Sequence, residues 1–188
     1  MFREELVRVG PLELRLLRPA SPEALIDERE FEQDEFLPYW AELWPAARAL
    51  AAVLPASLAR LRVVELGCGL GVPSLVAAAR GGEVTATDWA PAAIDLLREN
   101  AARNDVALAA ELRDWREPWP VRFDLALAAD VLYERRNVEP LLERLRALAP
   151  RALVGLAGRP YEADFLRRAG VGEEVAERVV ALTWPSRA

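Results

Sequence analysis

The 188-residue sequence contains no histidine, no lysine, a single cysteine and a single methionine. Without imidazole, Ser-His-Asp hydrolysis is excluded within the chain, and with one thiol besides, so are an intrachain disulfide and a Cys/His zinc site. No metal site is expected. Every one of the 24 basic residues is arginine, set against 30 acids, which gives a net charge of -6 and an isoelectric point near 5.0. General nucleic-acid binders draw affinity from basic groups that release counterions from phosphates, so nucleic acid is not an expected partner. Long apolar runs are missing too. The most membrane-like uncharged stretch, Leu66 to Ala79, has 14 residues with three glycines and a proline, where a span needs ~20 apolar residues. No membrane partner is expected. The opening MFREELVRVG mixes charge signs where a secretory signal carries a basic start and an apolar run, so a cytoplasmic location is expected.

What is present describes a folded globular chain: 53 % hydrophobic and 29 % charged residues. At roughly 150 residues per domain the length permits one to two. Leu12, Leu14 and Leu16 alternate with Glu13 and Arg15, which predicts a short half-buried strand. Asp27 to Glu35 holds six acids and one arginine, either a solvated face or a docking surface for a basic partner. Strand and helix then alternate. Strands are expected at Leu61–Leu66, Glu83–Thr87, Val106–Leu112, Phe123–Ala129 and Arg151–Leu156, with Val175–Trp184 one strand or a tight pair. Helices are expected at Pro45–Leu54, at Pro73–Arg80 ahead of Gly81-Gly82, from Pro91 onward, beyond a capping Asn137, and at Glu162–Ala169. Such alternation means an α/β fold with a doubly wound, mostly parallel sheet covered on both faces. No linker or repeat marks a second domain, so one domain is expected over residues 1–188.

Ligands of such sheets bind beyond the carboxyl ends of the strands, where strand order reverses. The first strand after the preamble runs into Val64-Glu65-Leu66-Gly67-Cys68-Gly69-Leu70-Gly71. This is not the dinucleotide fingerprint, which would need glycine where Val72 stands. Glycines let a bulky ligand lie against the turn, and Glu65 offers an acceptor to a positively charged group, an arrangement a phosphate cradle would not want. The next strand ends at Asp88. A carboxylate there can accept from both ribose hydroxyls, and its position downstream of the glycine turn favours this over a helix-capping acid ahead of Pro91. Trp89 beside it offers an apolar face to a purine. Asp114-Trp115 and Ala129-Asp130-Val131-Leu132-Tyr133 follow at the next two strand ends.

These four strand ends together resemble class I S-adenosylmethionine-dependent methyltransferases, over about residues 38–184, with 1–36 as an N-terminal extension. Within that superfamily, Tyr39-Trp40-Ala41-Glu42-Leu43-Trp44-Pro45, the turn Glu65 to Gly71 and Asp130-Val131-Leu132-Tyr133 are similar to the seven-strand lysine methyltransferases of methyltransferase family 16. Leu153-Val154-Gly155 with Gly158-Arg159-Pro160-Tyr161 resembles in particular the electron-transfer flavoprotein beta-subunit lysine methyltransferases and nicotinamide N-methylase-like bacterial proteins. The resemblance implies a Rossmann-like seven-stranded sheet and S-adenosylmethionine as cofactor. It implies that Glu65, Gly67, Cys68 and Gly69 surround the cofactor's amino acid part and that Asp88 holds the ribose. Trp89, Asp114 and Trp115 would frame the adenine, Trp44 would close over the cofactor, and Ala129 would line the sulfonium region. Asp130 and Tyr133 would face the incoming nucleophile.

The implied reaction is N-methylation of a protein lysine; the sequence does not fix the oligomeric state, and a monomer is favoured. Asp130 would orient the amine, while Tyr133 and Trp40 present faces to the developing ammonium. Tyr133 can also be read as a packing residue, and Cys68 as a small residue in the turn with nothing nearby to activate its thiol. Two other functions stay open: a small-molecule N-methyltransferase, suggested by the lack of a long insertion after the fourth or fifth strand, and a non-catalytic cofactor-binding module. The asparagine-proline motif of base-methylating enzymes is absent.

Overall fold

The computed structural model describes residues 2–21, 38–170 and 172–185; the acidic run Asp27 to Glu35 lies outside them. The chain begins with an antiparallel hairpin of β1 (Phe2–Val9) and β2 (Leu12–Pro19). Gly10, at φ 57°, stands at the first central position of its two-residue turn, where a II′ hairpin takes glycine. Sequence alternation revealed only the Leu12–Leu16 part of this unit.

The main sheet contains β3 (Arg62–Leu66), β4 (Glu83–Asp88), β5 (Ala109–Leu112), β6 (Leu125–Ala129), β7 (Arg151–Gly155), β8 (Glu173–Ala176) and β9 (Val179–Thr183). Their order is β5-β4-β3-β6-β7-β9-β8, with β3 to β7 parallel and β9 antiparallel to both β7 and β8. The C-terminal pattern is therefore the tight pair. Two expected strands start later than their apolar runs. The Val106 N–H closes on the Ala101 carbonyl and the Phe123 N–H bonds to the Leu148 carbonyl, so these residues sit outside the ladders.

Among the described residues, five helices cover the sheet: α1 (Pro45–Val53), α2 (Val72–Ala79), α3 (Pro91–Arg103), α4 (Val138–Leu148) and α5 (Glu162–Ala169). Prolines open α1 and α3, where a missing N–H is harmless. Side chains alternate across the central strands. Val63, Leu125 and Leu127 enter one core with α1, α2, α3 and the hairpin, while Val64, Leu66, Ala126 and Ala128 enter the other with α4 and α5. Asn137 precedes α4 but makes no side-chain cap, contrary to expectation; its buried amide instead donates to the Val131 carbonyl and pins the loop after β6. Strand order reverses about β3, which runs to β4 and β5 on one side and has β6 and β7 on the other. The glycine turn leaves the sheet at that point.

Candidate active site

Strand parity turns Glu65 toward α2. Its Oε2 accepts the Ser74 N–H at 3.0 Å and the Ser74 hydroxyl, satisfying the first turn of a helix whose N-cap position, Gly71, has no side chain. The carboxyl is 1 % exposed. Burial outweighs the Ser74 bonds and, helped by the charge of Asp88, pushes its pKa up to about 8.

The turn beyond β3 is threaded between two walls. A Cβ on Gly67, at φ 67°, would stand 2.8 Å from Trp115 and from Val131; one on Gly69, at φ 50°, would stand 3.0 Å from the Trp40 carbonyl oxygen. Any side chain there would collide or strain the backbone. Asp88 ties this turn to the next: Oδ2 accepts the Gly69 N–H at 2.9 Å and Oδ1 the Ala90 N–H at 3.0 Å. Asp88 thus braces the backbone of both turns, while α3, with Ala90 at its N-cap, has no side-chain cap; a carboxylate has about four acceptor positions. Burial raises the Cys68 thiol well above its ordinary value, and Asp88 and Glu65 push it the same way, so it is no thiolate.

Residues 38–45 form a strap over the turn, folded by a 3-10 turn at Tyr39–Ala41 and by the Trp44 indole N–H, which donates to the Tyr39 carbonyl at 2.8 Å. The Tyr39 ring lies 6.4 Å from Trp44 and 5.6 Å from Tyr133. Burial pushes the Tyr133 phenol up, so it stays neutral.

At the end of β6, Asp130 takes a left-handed backbone, φ 52°, with its N–H on the Gly155 carbonyl of β7. Aspartate tolerates this region better than most residues, and such outliers concentrate at functional sites. Both oxygens of its carboxylate are gripped by Arg159, Nε to Oδ1 at 2.8 Å and Nη2 to Oδ2 at 2.9 Å. The guanidinium also lies 5.4 Å from the Trp44 ring centre.

These groups enclose a cavity of about 540 Å³ at the carboxyl ends of β3, β4 and β6. All the site residues expected from the sequence border it except one. Asp114 faces a side recess of about 70 Å³ behind Trp89, Trp115 and Tyr133, its Oδ1 taken by the Arg116 N–H and Nε. Turning toward Arg116 removes it from any direct place at the cavity. Trp115 is buried against the glycine turn, whereas Trp89 is 42 % exposed at the rim. Sequence reasoning missed Arg159 as a site residue, together with Tyr39, Glu42 and Arg136. The loop after β7 opens at the same sheet end as the other motifs, and that signal could have found Arg159. Among the described residues, no group of three or more acids or cysteines is placed to hold a metal.

Compared with solved structures, the chain matches the T. Thermophilus 16S rRNA N2 G1207 methyltransferase (RsmC) with a TM-score of 0.71 at 19 % identity, over 98 % of this chain and 51 % of that one. Magnesium protoporphyrin IX methyltransferase (ChlM) from Synechocystis PCC 6803 follows at TM-score 0.58 and 19 % identity, over 74 % and 76 %. The architecture is the class I S-adenosylmethionine methyltransferase fold. A family model described as lysine methyltransferase matches residues 30–164, and the chain belongs to that family. Among curated proteins it is 35 % identical to protein-lysine methyltransferase METTL21E of Bos taurus, over 55 % of this chain and 41 % of that protein. It is 32 % identical to EEF1A lysine methyltransferase 3 of Mus musculus (63 % and 55 %) and 30 % identical to the electron transfer flavoprotein beta subunit lysine methyltransferase of Danio rerio (70 % and 55 %). The chain spans about half the length of these relatives.

Proposed function

We propose that this protein is an S-adenosylmethionine-dependent methyltransferase that N-methylates a lysine side chain of a protein substrate. The observation that carries the reading is one cavity with two unlike ends. A turn with glycine at 67, 69 and 71, flanked by the buried acids Glu65 and Asp88, forms one end; Asp130 among Tyr39, Trp44 and Tyr133 forms the other. The first end fits the cofactor: Glu65 accepts an ammonium, Asp88 has acceptor positions for ribose hydroxyls, and Trp89 and Trp115 supply apolar faces for a purine. Bound there, S-adenosylmethionine supplies a methyl group on a sulfonium, which is a good leaving group.

This chain's residues then bind and align. Trp44 and the strap exclude water above the glycine turn, and small Ala129 leaves room between the two ends. Asp130 orients the acceptor nitrogen, and Tyr133 and Trp40 face it with π-systems that favour cationic nitrogen. Alignment of this kind supplies up to ~7–11 kcal/mol, which suits a site without a histidine base, where the amine's proton goes to solvent. The reading includes a monomeric, cytoplasmic protein folded as a single unit over 1–188, with the cofactor fold at 38–184. It includes no general affinity for nucleic acid, given the net charge of -6.

Radiolabelled S-adenosylmethionine added with the protein to lysate from a strain lacking its gene tests the reading. Label is expected in a protein band that survives RNase and yields methyl-lysine on hydrolysis. Label confined to dialysable material would assign a small-molecule acceptor instead.

A further inference from the structure

We propose that Arg159 is an internal competitor for the acceptor: its guanidinium holds the cation position at Asp130, and a primary alkylammonium group enters by exchange with it. The inference rests on the methyltransferase reading for its purpose, but the cation site stands on its own geometry.

The Asp130 side chain is 1 % exposed, yet its partner's is 34 % exposed and borders the cavity. A carboxylate this deep is costly to leave unpaired, so whatever displaces Arg159 must itself bring positive charge and N–H donors. An ammonium meets that condition; a hydroxyl, thiol or carboxylate acceptor does not. The second contact of Arg159, the Trp44 face, is equally available to an ammonium. The site already described thus gains a filter for charge.

Arg159 is not needed to place Asp130. The Asp130 backbone is fixed by its N–H on Gly155 and by the β6–β7 ladder. The loop carrying Arg159 is likewise held without help from its guanidinium: the Glu162 carboxylate accepts the Ala157 N–H at 2.6 Å and the Gly158 N–H at 3.0 Å. Between two anchored backbones only the arginine side chain has to swing. Exchange therefore needs the two Arg159–Asp130 hydrogen bonds to break and the arginine to change rotamer, with no unfolding.

The test uses n-butylammonium, the end of a lysine side chain, titrated by tryptophan fluorescence and thermal melting, with n-butanol as an uncharged probe of the same shape. Arg159→Met removes the competitor and is expected to bind n-butylammonium at least about tenfold more tightly than wild type, with a melting temperature that rises with the amine and not with the alcohol. Adding Asp130→Asn to Arg159→Met should abolish the gain. Should Arg159→Met not fold, Arg159→Lys serves: one ammonium cannot keep the two-point grip of the guanidinium, so amine binding should still tighten by about threefold or more. Equal affinity in wild type and variant, equal response to the alcohol, or a gain that survives Asp130→Asn overturns the proposal. Calorimetry with S-adenosylhomocysteine on the same samples separates the two readings. Wild type that binds it while Arg159→Met gains no amine affinity overturns the exchange alone. Wild type that fails to bind it, with the amine gain present, supports the exchange site and overturns the methyltransferase reading.

Discussion

At Glu65 a carboxyl is sealed under the glycine turn, and its ionisation is unfavourable enough to show in two measurements. The unfolded group titrates near 4.5 and the folded group at about 8, so between these values the folded state keeps a proton that the unfolded state has released. Stability contributed by this group is therefore lost as pH rises through that window, by up to ~1.4 kcal/mol per pH unit. Glu65→Gln should remove this slope in urea unfolding followed from pH 5 to 8; identical slopes in variant and wild type would refute it. A cationic amino group docked on the cavity side favours the ionised form. Affinity of wild type for S-adenosylhomocysteine should then rise by up to about tenfold per pH unit and level off near pH 8, a rise absent in Glu65→Gln. Glu65 and Asp88 were legible in the sequence because each abuts a strand end that local pattern reveals. Arg159 was not, because its partner lies 29 positions away and only the β6–β7 pairing brings the two together. Asp114 had the right strand end, but its neighbour Arg116 turns it into the side recess, a local ion pair that residue spacing does not disclose.

The hairpin is attached to the body by an element-scale device. Asn100 in the last turns of α3 and Asn104, the residue that caps its C-terminus, present their amides to the open edge of β2. Asn100 accepts the Leu17 N–H at 2.7 Å and donates to its carbonyl at 3.0 Å; Asn104 does the same for Arg15 at 2.8 and 2.8 Å. Two helix side chains thus act as a neighbouring strand would, and they cover an edge that would otherwise offer itself for pairing. Asn100 is fully buried, so Asn100→Ala removes the partner of the Leu17 N–H and carbonyl in a partly buried interface. A loss of about 1–3 kcal/mol in urea unfolding is expected. A change within about 0.5 kcal/mol, the usual range of surface substitutions, would show that water replaces the amide. In the sequence the apolar positions Ile94, Leu97 and Ala101 give the face of α3 that enters the core, but nothing in the spacing of two asparagines points to a strand edge. Their meaning depends on the hairpin above them, half of which escaped notice because Arg3, Glu4 and Glu5 interrupt the alternation of β1.

Across the whole molecule, strand-helix alternation revealed a parallel sheet before any contact was known, because each crossover is local and has one allowed hand. The antiparallel docking of β9 on β7 was not legible, since it depends on which edge remains open after five strands have assembled. The cavity inherits this global character: β3, β4, β6, the strap and the loop after β7 each contribute a wall, so a ligand there binds the assembled fold and not the unfolded chain. Saturating S-adenosylhomocysteine should stabilise accordingly, by about 2.7 kcal/mol at a hundredfold excess over Kd. For a chain of this length that raises the melting temperature by roughly 5–10 °C. The two ends of the cavity separate in this assay. Asp88→Ala, at the ribose end, should abolish the shift and methyl transfer together. Asp130→Asn, at the acceptor end, should keep the shift while turnover falls about a hundredfold, because the lost group orients the nucleophile and does not hold the cofactor. Equal loss of shift and turnover in Asp130→Asn would place that aspartate among the cofactor's own contacts and take the acceptor role from it.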